Sequence, residues 1–228
     1  SIDFMTPMFT FKTQLKMPKI SAHHIPERFG LFTTLTIGET VIGAVNGFAS
    51  NHHIDVWIGT AAALGLVVSF LVWWIYVDHV LYRVFKKKFW AILSWSYLHM
   101  PLAIGITAAG SGILALVTTS HDEVVSDPIR WLLTISLAFT IFIISLFGFV
   151  SENEGHQEKV INFHKRNQNS LFGFKMASIV LLILTGFFGK ELHAAALLAI
   201  LVGILLIPAI NGVYIWIKSH LSLQTNNS

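Results

Sequence analysis

Six stretches of roughly 20 apolar residues, each bounded by polar or basic residues, leave few folds open to this chain. They run over 29–49, 56–77, 89–117, 129–150, 171–188 and 192–217. At about 1.5 Å of helical rise per residue, each is about as long as the hydrocarbon core of a bilayer is thick. Only 12% of the 228 residues are charged and the mean hydropathy is +0.67, which rules out an ordinary soluble domain. The expected fold is all-α, a polytopic membrane helix bundle of six transmembrane helices with both termini cytoplasmic. Residues 1–27 read as a basic linker at the membrane surface, 28–220 as the six-helix domain, and 221–228 as a polar tail.

The orientation follows from the basic residues. An even number of spans puts 13 of the 15 Lys and Arg on one side, leaving Arg130 and Lys190 on the other. Basic loops stay in the cytoplasm, so that side faces in. The bilayer thus explains the pI of 9.2, and no nucleic-acid partner is expected. The absence of cysteine excludes disulfides and thiolate metal sites, and no cofactor is identified. The pairs His23-His24 and His52-His53 lack carboxylates at ligand spacing, so no metal site is expected. A bis-histidine haem would need a second deep histidine beside His99. No phosphate loop or nucleophile elbow points to an enzyme.

The first span contains the residue of most chemical interest. Glu39 lies near the middle of 29–49, where a carboxyl is costly unless it meets protein or water. Projected at 100° per residue, Arg28, Phe32, Thr36, Glu39, Gly43, Asn46 and Ser50 share a face, with Ile37, Val41, Ala44 and Phe48 opposite. His99 is the second deep ionisable group. Glu39 lies 11 residues beyond Arg28, and His99 lies 11 beyond Lys88, so the two are expected at one depth and able to pair as a proton relay. Asp78 is expected at the inner end of the second span, paired with Arg28 or Arg83. Glu27 and Arg28 are expected to form a cytoplasmic gate or ion pair. Lys175, near the start of the fifth span, is expected to extend to the inner surface.

Three ordered motifs are similar to a known family. They are His-x-x-Glu-Arg-Phe-Gly-Leu-Phe, followed by Gly38-Glu39; Trp73-Trp74-x-Tyr76-x-Asp78; and Trp95-Ser-Tyr-x-His99-x-Pro101. The chain resembles the bacterial low temperature requirement protein A family, most clearly over 23–105. The resemblance implies a multi-pass protein of the bacterial inner membrane without an established molecular activity. It also implies a preceding N-terminal half with a Glu-Leu-Phe-Phe-Asp-Leu-type motif, which this sequence lacks. On that reading the chain is a C-terminal half, and a site can lie between two repeats. The expected partners are the lipid bilayer and that N-terminal half or other membrane subunits. The functional expectation is a transporter or proton- or ion-conducting protein using Glu39, His99, Asn46, Thr36 and Asp78. The alternative is a non-catalytic structural or accessory subunit of a larger membrane complex.

Overall fold

The computed structural model describes residues 24–50, 55–81, 83–85, 89–119, 123–153 and 158–224. Among these are six long helices: α1 (His24–Ala49), α2 (Val56–Tyr76), α3 (Phe89–Val117), α4 (Asp127–Val150), α5 (Glu158–Phe188) and α6 (Ala194–Gln224). Five of them, α2 to α6, are long and apolar enough to cross a membrane. The sixth, α1, is long enough at 26 residues but carries Glu27, Arg28 and Glu39. The fold is an all-α membrane bundle. Residues 1–23, with His23, and the His52-His53 pair lie outside the described residues.

The helix ends follow from local chemistry. The Asp55 side chain accepts the Ile58 N–H at 2.8 Å and caps α2. α4 starts with Pro128 in its first turn, where its missing N–H costs nothing. Ser126 holds the N-cap position there and Asp127 lies in the first turn. α2 passes into a π turn at Val77–Leu81. Two three-residue strands, β1 (Arg83–Phe85) and β2 (Ser151–Asn153), pair antiparallel with Arg83 opposite Asn153. The stretch 151–170, between the fourth and fifth apolar runs, therefore contains β2 and the first turns of α5. That early start places Lys175 well inside α5 with 5% exposure, rather than at the surface.

The helices close a ring in the order α1, α3, α4, α5, α6, α2 and back to α1. Small residues set the spacing, as between membrane helices generally. A Cβ on Gly65 of α2 would lie 2.6 Å from Ile113, and one on Gly112 would lie 2.6 Å from Leu133. Inside the ring Ile75, Ile113, Leu137, Leu197 and Leu201 are buried. The central void beside Thr40, Ser69 and Thr140 is only about 10 Å³, room for one water at most. Among the described residues the ring has a filled centre.

Arg130 fastens the opposite end from the β1–β2 ladder. It is fully buried, its Nε donates to the Gly186 carbonyl at 2.9 Å, and its Nη2 lies 2.8 Å from Asp127 Oδ1. Gly186 belongs to the last turn of α5, where helix carbonyls lack intrahelical donors and a cation is favoured.

Candidate functional site

α1 and α3 run side by side in the same direction. Phe29 packs on Trp95 and His99 at ring distances of 5.5 and 4.6 Å. Four turns along, a Cβ on Gly43 would lie 3.1 Å from the Gly110 carbonyl, and one on Gly47 would touch Val117. This register places His99 beside the start of α1 and Glu39 near the level of Ile106. The expected Glu39–His99 pair is therefore not formed. The boundary count fails because it takes Arg28 and Lys88 to be level, whereas Phe29 is level with Trp95 to His99.

His99 is instead enclosed. It is 1% exposed and surrounded by Phe29, Trp95 and Phe147. Its Nδ1 lies 2.9 Å from the Trp95 carbonyl and its Nε2 3.2 Å from the Tyr76 hydroxyl. A carbonyl only accepts, so Nδ1 carries the proton; Nε2 of the neutral ring then accepts from the Tyr76 O–H. The Thr33 hydroxyl lies beside the Tyr76 phenol and donates to the Phe29 carbonyl at 2.9 Å. Tyr76, Thr33 and Phe29 escape a sequence reading that looks for charge. Tyr76 does have a signal, since it belongs to the Trp73-Trp74-x-Tyr76-x-Asp78 motif.

The polar face of α1 does not point into the ring. Thr33, Ile37, Thr40, Ala44 and Gly47 are buried, whereas Arg28, Phe32, Glu39, Asn46 and Ser50 are exposed. Thr36 and Gly43 are half-buried, and the Thr36 hydroxyl donates to the Phe32 carbonyl at 3.0 Å. The stripe thus follows the outer rim of the α1–α3 crevice. Near the start of α1 the crevice widens to a groove of about 490 Å³ lined by Phe29, Phe32, Leu93, Ser96, Tyr97, His99 and Met100. Glu39 lies seven residues beyond Phe32 on the same face, about two helical turns above the groove. Among the described residues Glu39 makes no hydrogen bond or ion pair. The arrangement is an aromatic groove with a carboxylate above it.

The remaining expected residues lie elsewhere. Asp78 opens the π turn, 3.4 Å from His79 Nδ1, with its carboxylate against the backbone of Gly212 in α6. The same His79 nitrogen lies 2.9 Å from the Ile75 carbonyl. No ion pair joins Asp78 to Arg28 among the described residues, and the Arg83 side chain lies outside them. Glu27 and Arg28 are both exposed in the first turn of α1, and no ion pair closes a gate between them among the described residues.

Comparison with known proteins bears on this arrangement at the level of the family. Residues 1–210 match the family described as bacterial low temperature requirement A protein. The chain belongs to that family. No curated protein and no solved structure matches it. Family membership and the apolar helices together make this chain an integral membrane protein of a bacterial family.

Proposed function

We propose that the protein moves protons or another small ion across the bacterial cytoplasmic membrane, along the α1–α3 crevice and not through the ring. Both termini are cytoplasmic on this reading. Glu39 is the ion-binding group and Thr36 and Asn46 supply polar contacts beside it. The groove over His99 is the inner approach, with Glu27 and Arg28 at its mouth. His99 lines its floor with Tyr76 hydrogen-bonded behind it, and Asp78 lies away from the path. One observation carries this reading: an exposed carboxylate midway along α1 stands about two helical turns beyond a groove that opens outward from a filled bundle. An intramembrane carboxyl can take up and release a proton, so protons are the simplest permeant or coupling species.

Proteoliposomes containing a pH dye and a potassium diffusion potential test it. Wild type and Glu39→Asp acidify or alkalinise the lumen, and Glu39→Gln loses the flux while keeping its thermal midpoint. Equal flux in Glu39→Gln rejects the assignment.

The second reading, an accessory subunit of a larger membrane assembly, is favoured by the outward direction of the stripe. It predicts that Glu39→Leu releases a partner, with no flux in wild type to lose.

A further inference from the structure

The exposed flank of α1 differs in kind from the other outward faces. α4 presents Leu132, Ile135, Phe139 and Phe142, and α6 presents Ile200, Leu206 and Ile210, apolar surfaces suited to lipid tails. α1 presents Leu31, Leu35, Ile42 and Val45 at spacings of four, seven and three residues, with Glu39 and Asn46 one heptad apart beside them. Such spacing lays an apolar seam along one helix face. A Cβ on Gly38, within this seam, would meet nothing within 4 Å, so there is open room for close approach. On the neighbouring α3, Met100, Ile104, Thr107, Ser111, Leu114 and Thr118 are exposed at spacings of four and three. The α1–α3 register brings Thr107 level with Glu39. A carboxylate, an amide and two hydroxyls therefore line one crevice at the depth where hydrocarbon solvates them worst.

We propose that this crevice is the docking face for a transmembrane helix of a partner protein that bears a hydrogen-bond donor or a cation level with Glu39. That helix lies between the two seams, with its donor on the Glu39 carboxylate and a second polar group one heptad away on Asn46. A second copy of this chain does not supply the match. Two α1 helices in the same membrane orientation would meet about a two-fold axis and bring like carboxylates to one depth. The inference rests on the position of Glu39 and is an alternative to a water-lined path along the crevice.

The chain contains no cysteine, so single labels can be introduced without background. Nitroxides at Leu35→Cys, Ile42→Cys and Thr107→Cys, with Ile135→Cys on α4 as the lipid reference, are read by power-saturation EPR in native-membrane nanodiscs. Collisions with oxygen report lipid, and collisions with a nickel chelate report water. A docked helix makes both low at the three crevice positions while Ile135→Cys collides freely with oxygen. Oxygen accessibility at Leu35→Cys and Ile42→Cys equal to the reference overturns the proposal. High nickel accessibility at Thr107→Cys also overturns it, and leaves a water-lined transport path standing. Native mass spectrometry of the same discs, on unlabelled protein, is the second measurement. The proposal expects an additional polypeptide that is retained by Glu39→Gln and depleted at least tenfold by Glu39→Leu. No additional mass, retention in Glu39→Leu, or a mass equal to a second copy of this chain each overturns it.

Discussion

The Arg130 side chain reaches across from α4 to the Gly186 carbonyl, 2.9 Å away in the last turn of α5. Leaving a buried carbonyl without its charged donor costs about 1–3 kcal/mol. Arg130→Leu is therefore expected to lower the thermal midpoint in detergent by several degrees. Arg130→Lys keeps the charge but loses the planar fork and should fall between. A midpoint for Arg130→Leu equal to wild type would show that the contact contributes nothing.

The closest approach of α1 to α3 tolerates no side chain. A Cβ on Gly110 would lie 2.9 Å from Thr40 Cγ2 and 3.0 Å from the Thr40 Cα. Backbone cannot step aside as a flexible side chain can, so Gly110→Val should cost about 1–3 kcal/mol by overpacking. Gly203→Ala has open space and should be neutral or raise stability by up to about 1 kcal/mol. Thermal midpoints of the two variants, side by side, check the contrast.

The proton position on His99 is open to spectroscopy. With Nδ1 facing the Trp95 carbonyl and Nε2 facing Tyr76, nitrogen NMR should find the neutral ring protonated at Nδ1. Tyr76→Phe removes the donor to Nε2 and should shift that resonance while leaving Nδ1 protonated. The stability loss should be about 1 kcal/mol. A ring protonated at Nε2 would contradict the hydrogen-bond pattern.

Asp78 and Gly212 should behave as one unit. The carboxylate occupies the space that a Cβ on Gly212 would need. Gly212→Ala should destabilise the wild-type chain by about 1–3 kcal/mol and cost much less in an Asp78→Gly background. Strict additivity in that double-mutant cycle would show that the two do not touch.

Six helices, their approximate ends and the membrane setting are legible in the sequence because apolar run length and boundary charge act locally. The direction of the α1 stripe is not. Its residues share a face by periodicity alone, but whether that face meets the ring or its surroundings depends on which neighbours pack against Thr33, Thr40 and Gly47. Depth is lost for a similar reason. Counting from Arg28 and Lys88 assumes two helices start level, and only the contact between Phe29 and His99 sets their offset. Lys175 shows the same limit: a helix start placed at 171 makes it a boundary residue, whereas a start at Glu158 buries it.

The β1–β2 ladder ties the segment leading into α3 to the segment leaving α4. Two connections that would otherwise sway separately are stitched into a common hem. Any rocking of α2 and α3 against α4 and α5 must then pivot near that hem and splay widest at the far ends. Cutting the stitch, by proline at Val84→Pro, should let the near ends drift apart.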